Sequence, residues 1–155
     1  MITKTQGANT YSWTYDYNNQ IVSYYDPITT NNSTYAWDAY SRRISSTVNS
    51  TTSMFAYDGQ TVIADYNGSG VIQANYVTPF LDENLLISRS TGTYYYMQDG
   101  LGSVVQLINT SEMIQNSYDY NAFGEILSET ENVQNRYKFT GREWDSESGS
   151  LHYRM

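Results

Sequence analysis

Large aromatic and small polar residues alternate along Thr10-Tyr11-Ser12-Trp13-Thr14-Tyr15, which places Tyr11, Trp13 and Tyr15 on one face of a β-strand. Turn residues follow from Asp16 to Gln20, with Asn18-Asn19 at the tip. A second strand runs over residues 21–25 and stops at Asp26-Pro27, because proline has no N–H to give a ladder. The same pattern returns in Thr34-Tyr35-Ala36-Trp37-Asp38, with a return strand over residues 43–48. Residues 53–57, 61–66 and 71–77 make three more strand-like runs, separated by Asp58-Gly59 and Asn67-Gly68. Those dipeptides favour tight hairpins, so the chain meanders here.

Residues 81–87 read as a loop entering a short strand at 85–89. Tyr94-Tyr95-Tyr96-Met97-Gln98 is then an aromatic strand, Asp99-Gly100 a turn that tolerates positive φ, and Val104-Val105-Gln106-Leu107 the returning strand. Further strands are expected over residues 113–120, 123–127, 136–140 and 151–154, with an acidic link at 129–132. An Asp follows an aromatic-rich run at positions 16, 38 and 58, spaced 22 and 20 residues, and Asp99 to Asp119 is again 20. A unit of about 20 residues built from such short strands is a hairpin, and stacked hairpins extend one continuous sheet. The predicted fold is all-β: a repetitive antiparallel hairpin sheet, open-ended or part of a spiralling β-shell.

Composition sharpens this picture. Seventeen Tyr against four Phe in 155 residues is an unusual way to build a core, and Tyr couples a large apolar face to a polar tip. A thin object made mainly of sheet, in one domain, follows. The net charge of −8 is spread without long runs, and Arg42-Arg43 is the one adjacent basic pair, so a nucleic-acid footprint is lacking. No Cys is present, which removes disulfides and thiol chemistry. No stretch approaches the roughly 18 apolar residues of a membrane helix, and residues 1–7 show no apolar signal region.

Specific segments resemble the YD-repeat and Rhs repeat-associated core family. Tyr35-Ala36-Trp37-Asp38-Ala39-Tyr40-Ser41-Arg42 is similar to the repeat Tyr-x-Tyr-Asp-x-x-Gly-Arg, with Tyr40-Ser41 where the repeat has Leu-Gly. Phe55-Ala56-Tyr57-Asp58-Gly59-Gln60, Gln98-Asp99-Gly100-Leu101-Gly102-Ser103-Val104, Tyr118-Asp119-Tyr120-Asn121-Ala122-Phe123-Gly124 and Phe139-Thr140-Gly141-Arg142-Glu143-Trp144-Asp145 resemble its core. The match spans residues 10–155. It divides one continuous structural domain into an N-terminal arm (1–9), YD-type hairpins (10–78) and Rhs-core-like hairpins (79–155). The repeat positions are Tyr15, Asp16, Trp37, Asp38, Tyr57, Asp58, Tyr96, Asp99, Gly100, Gly102, Tyr118, Asp119, Phe139, Gly141 and Arg142. The resemblance implies a β-sheet shell, an extracellular or cell-surface location, and kinship with toxin-enclosing bacterial shells and animal teneurins. The D-P-x-G-type motifs at which family members cut themselves are not in this sequence, so neither self-cleavage nor a payload is carried over.

Catalytic candidates are sparse. His152 is the single histidine, and no nucleophile elbow accompanies it. Glu143, Asp145 and Glu147 form an acidic cluster that reads as solvated side chains, not a metal site. The Gly-rich turns lack a following helix and so do not form phosphate loops. The repeating Asp residues read as turn caps. Trp13 and Trp37 could stack on a sugar ring, although the same rings serve as core and cross-strand packing. No cofactor, metal or catalytic residue is expected.

Three functions remain open. The leading expectation is a non-enzymatic module that self-associates through its terminal strands into an extracellular filament or shell. The alternatives are a shell fragment of an Rhs-type toxin-delivery protein and a carbohydrate-binding surface module.

Overall fold

The computed structural model describes residues 1–80, 83–146 and 148–152. Short strands form wherever period-two alternation and turn residues coincide. They are β1 (Ile2–Gln6), β2 (Asn9–Tyr15), β3 (Ile21–Tyr25), β4 (Asn32–Trp37), β5 (Arg43–Val48), β6 (Thr51–Asp58) and β7 (Thr61–Asn67). The series continues through β8 (Ile72–Val77), β9 (Leu86–Arg89), β10 (Gly92–Gln98), β11 (Val104–Asn109), β12 (Ile114–Tyr120) and β13 (Ile126–Glu131). All pair antiparallel in sequence order, giving one 13-stranded sheet whose end strands, β1 and β13, each have a single partner. A separate hairpin joins β14 (Glu143–Asp145) to β15 (Ser150–His152). Among the described residues no helix is long and apolar enough to cross a membrane.

Cross-strand register puts the buried side chains on one face. Phe55 faces Asp65, which faces Ala74; Tyr76 faces Ile87, which faces Tyr94; Tyr96 faces Leu107, which faces Asn116. Residues 132–146 and 148–152 fold back over this face. They set Val133 and Tyr137 into a core of Phe55, Val62, Ala74, Tyr76, Ile87, Tyr94, Tyr96, Val104, Leu107 and Tyr118. The other face carries Val77, Leu86, Tyr95 and Ile108 in register, partly open to solvent.

The tyrosine-rich composition resolves into packing plus satisfied tips. The Tyr137 ring meets Tyr76 edge-on at 5.4 Å and Tyr96 at 6.3 Å. The Tyr76 hydroxyl donates to Asp65 Oδ2 at 2.7 Å, Tyr96 to Asn135 Oδ1 at 2.9 Å, and Tyr120 to the Val104 carbonyl at 2.8 Å. Burial, reinforced by the Asp65 charge, pushes the Tyr76 hydroxyl well above its ordinary pKa. These phenols are therefore neutral donors.

Three expectations are corrected. The arm expected over residues 1–9 contains a strand, since Ile2–Gln6 pairs with β2 in continuous register. The acidic link expected at 129–132 is largely β13, whose exposed glutamates lie on an edge strand. The strand expected over 136–140 is instead a crossing segment with a one-turn 3-10 helix at Phe139–Gly141. Its alternation serves three separate contacts: Tyr137 enters the core, Lys138 reaches two glutamates, and Phe139 covers a turn. The last expected strand is observed as Ser150–His152, and Tyr153 and Arg154 lie outside the described residues, as do Leu81, Asp82 and Glu147.

Candidate functional site

One turn recurs along the sheet, built around an Asp or Asn. At Asp16, Asp38, Asn67, Asp99, Asn109 and Asn121, the side-chain oxygen Oδ1 accepts the backbone N–H groups two and four residues ahead. The backbone N–H three residues ahead donates to the carbonyl of the same residue. That third position takes positive φ in every case: Asn19, Ser41, Gly70, Gly102, Glu112 and Gly124. A side-chain acceptor thus replaces water for two loop N–H groups. The positive φ expected at the Asp99-Gly100 and Asn67-Gly68 dipeptides falls instead at Gly102 (φ 80) and Gly70 (φ 78). Asp58 differs again. It faces Thr61 across a two-residue turn, with Gly59 at φ 56. Asp119 is a strand residue that receives the Ser128 hydroxyl at 2.6 Å, and the turn residue there is Asn121.

Arg42 completes the turn at Asp38. Its Nε donates to Asp38 Oδ2 at 2.7 Å, its Nη1 donates to the Gly59 carbonyl at 2.6 Å, and its guanidinium lies over Tyr57 at 5.0 Å. One side chain therefore ties two neighbouring hairpins together.

The two core-like motifs, Asp99–Val104 and Lys138–Arg142, dock on each other. Fully buried Ser103 offers Oγ to the Thr140 N–H at 3.1 Å, and the Val104 N–H donates to the Lys138 carbonyl at 3.0 Å. The Lys138 ammonium, itself buried, meets Glu129 at 2.7 Å and Glu131 at 2.8 Å. Phe139 lies so close to Gly124 that a Cβ there would sit 2.5 Å from its ring. Gly141 closes the turn by donating to the Lys138 carbonyl at 3.2 Å, and the Arg142 N–H donates to the Phe139 carbonyl at 3.0 Å. Asn116 on β12 pairs with Val133 through both amide atoms, Nδ2 to the carbonyl at 2.6 Å and Oδ1 from the N–H at 2.9 Å.

Towards the first half of the sheet, the same segment is held by charge. Glu143 Oε2 accepts from Arg43 Nη2 and Arg136 Nη1, both at 2.9 Å. Arg43 also donates to both Asp145 oxygens at 2.7 Å, and Arg136 Nη2 lies 3.0 Å from Asp65 Oδ1. Burial alone would raise the Glu143 pKa; Arg136, Arg43 and His152 outweigh it and hold the carboxyl at about 2. The Arg136 guanidinium stacks on Phe55 at 3.8 Å. Every charge in this cluster is met by an opposite one, the condition for burying ions without forfeiting stability. Two members of the expected acidic cluster, Glu143 and Asp145, are thus structural anchors, while Glu147 lies outside the described residues.

The candidate sugar-contact rings are engaged in packing. Trp37 gives its indole N–H to the Ile21 carbonyl at 2.8 Å and lies 5.2 Å from His152. Trp13 packs between Tyr11 and Tyr24 at 6.4 and 5.2 Å, and Tyr15 faces Ile21. Tyr57 donates to the Arg43 carbonyl at 2.9 Å, and the Tyr118 hydroxyl donates to Glu131 Oε2 at 3.0 Å. Gly100 sits at the exposed tip of its turn. A cleft of about 300 Å³ remains between β5, β6 and the covering segment, bordered by Ser46, Ser53, Asn135 and Trp144. Sequence reading missed the Arg43, Asp65, Arg136 and Glu143 cluster. Its available signal was charge embedded in strand-like runs, such as Asp65 between Ala64 and Tyr66.

Comparison with known proteins follows the same lines. No family model matches the chain. The tRNA3(Ser)-specific nuclease WapA of Bacillus spizizenii is 27% identical over 127 residues, 79% of this chain and 5% of that protein. The tRNA nuclease WapA of Bacillus subtilis strain 168 is 24% identical over 127 residues. Among solved structures, TcdB2-TccC3-TEV aligns with a TM-score of 0.68 at 11% identity, over 93% of this chain and 8% of that one. The Photorhabdus luminescens Tc holotoxin pore aligns with a TM-score of 0.69 at the same identity and coverage. The fold is shared. This chain corresponds in size to a small part of each relative, a run of hairpins with its covering segment.

Proposed function

We propose that the chain is a non-catalytic structural stretch of an Rhs-type β-shell, operating outside the cell as part of a toxin-delivery protein. The observation that carries the reading is the open 13-stranded meander, which aligns over 93% of its length with toxin-complex proteins while spanning 8% of them. The side chains of the repeat positions support it. They cap turns, tie hairpins and anchor the covering segment, and none is left over as a convergent acid, base and nucleophile. The nuclease activity in the WapA names belongs to proteins of which this chain matches 5%. An antibody raised against the 155-residue chain tests the reading in the source cells. A secreted band many times larger than this chain is expected. A discrete cytosolic product of this size would refute it.

A second reading, a self-associating subunit, draws support from the two end strands, each hydrogen-bonded on one side. Glycan binding through Trp13 and Trp37 has weaker support, because those rings already pack against neighbours.

A further inference from the structure

We infer that one rim of the sheet, where the hairpin turns carry bulky apolar tips, seats against the opposite rim of a neighbouring strip of the same shell wall. This contact rests on the shell reading and adds to it the surface by which the wall holds together.

In an antiparallel meander the connections alternate between two rims. The turns after β2, β4, β10 and β12 lie on the first rim, and those after β7 and β11 on the second. Both rims use the same Asp or Asn turn: Asp16, Asp38, Asp99 and Asn121 cap it on the first, Asn67 and Asn109 on the second. The second residue after the cap gives the turn its backbone N–H, and on the second rim it is Ser69 or Ser111. On the first rim the same place holds Tyr40, Leu101 and Phe123, which are 76, 70 and 91% exposed. Tyr17, next to the Asp16 cap, is 96% exposed, and Phe80, in the connection after β8, is exposed as well. The turn after β6, Gly59-Gln60, lacks such a tip. Since serine makes the same turn, turn geometry does not account for the bulky side chains. Successive turns of one rim stand about 10 Å apart, two strand spacings, so the tips form a row.

The second rim has the complementary relief. Small tips stand at Gly7-Ala8, Asn49-Ser50, Gly68-Ser69-Gly70, Ser90-Thr91 and Thr110-Ser111. Exposed apolar shoulders flank two of these turns, Val71 and Met113, and Ile28 adds a third exposed apolar side chain in the turn after β3. A Tyr, Leu or Phe tip set between two small tips would rest on such shoulders, and the shared pitch lets one tip meet one gap along the row. Strand length explains why a wall needs this contact. Strands of four to eight residues make a strip roughly 13–26 Å wide, which encloses a volume only when laid edge to edge with further strips. Strips that run in one direction with the same face inward set the first rim of one against the second rim of the next. A bilayer fits the row less well. The first rim also bears Asp16, Asp58, Asp99 and Glu125, which anionic headgroups would repel. Adjacent strands are rotated by about 20–25°, so the tips of many hairpins do not share a plane, whereas a second strip of the same twist follows them.

Photo-crosslinking in the native polypeptide, secreted from the source cells, tests the contact. Phe123→benzoylphenylalanine, and separately Leu101→benzoylphenylalanine, should crosslink on irradiation to Gly-, Ser- or Ala-tipped hairpin turns of the same polypeptide, far from the probe in sequence. Tyr95→benzoylphenylalanine, on the open face of the sheet, sets the background, and the tip sites should exceed it at least tenfold by mass spectrometry. Capture of lipid, capture of a separate protein, or tip crosslinking no greater than at Tyr95 would each overturn the rim contact while leaving the shell reading in place. A native polypeptide of this chain's own size would overturn both.

Discussion

Replacing Glu143 with glutamine keeps the shape of the ionic anchor and removes its central charge. Glu143 is 6% exposed and joins Arg43 to Arg136 at 2.9 Å each. Its folded pKa of about 2 lies below the ordinary 4.5. A depression of this size corresponds to about 3 kcal/mol of stability carried by the ionised form. Because the folded pKa is the lower one, this contribution is fully present above pH 4.5 and is lost as pH falls through 2. Urea unfolding of Glu143→Gln at pH 7 should therefore show a loss of about 3 kcal/mol against the native chain, shrinking to between about 1 and 2 at pH 3. A loss below about 1 kcal/mol at pH 7, or one that does not change with pH, would refute the assignment of Glu143 as the charged keystone of the covering segment.

Other substitutions probe the turns and the motif junction. Ser41→Gly removes a non-glycine residue from φ 62 and should raise the unfolding free energy read from urea titration by about 0.5–1 kcal/mol once the entropy of glycine is set against the relieved strain. Asp99→Asn should change stability by less than about 0.5 kcal/mol, since Asn fills the same role at 67, 109 and 121, whereas Asp99→Ala should cost about 1 kcal/mol in the same assay. Gly124→Ala sets a Cβ against the Phe139 ring and should cost about 2 kcal/mol or more by thermal unfolding, with Phe139 displaced in a solved structure. Ser103→Ala removes the buried hydroxyl that accepts from the Thr140 N–H and should cost about 1–3 kcal/mol, while hydrogen exchange of Thr140 accelerates.

The hairpins were legible because strand faces obey a two-residue period that Tyr11, Trp13 and Tyr15 display directly. Turn chemistry was half legible. The Asp positions were visible, but the fixed offset to positive φ three residues later was hidden wherever Ser41 or Glu112 stands in place of glycine. The repeat spacing misled at Asp119, since Asn121 does the same work and a period written in one letter overlooks it. Residues 136–140 alternate as a strand does, and no local rule distinguishes a ladder residue from one that crosses the sheet. The ionic anchor was invisible for a different reason: Arg43 and Glu143 are 100 positions apart, and only tertiary folding brings them together.

That crossing segment also fixes an order of events during synthesis. The meander is made of neighbours in sequence, so each hairpin can form as it emerges, at the roughly 5–20 residues added per second. The face bearing Ile87, Val104 and Leu107 stays bare meanwhile, because Val133, Tyr137 and the anchors at Arg136, Glu143 and Asp145 all follow the meander in sequence. The growing chain therefore carries an uncovered apolar surface until the covering segment emerges, and a ribosome stalled near residue 130 would display a laddered sheet without the segment that shields it from other nascent chains.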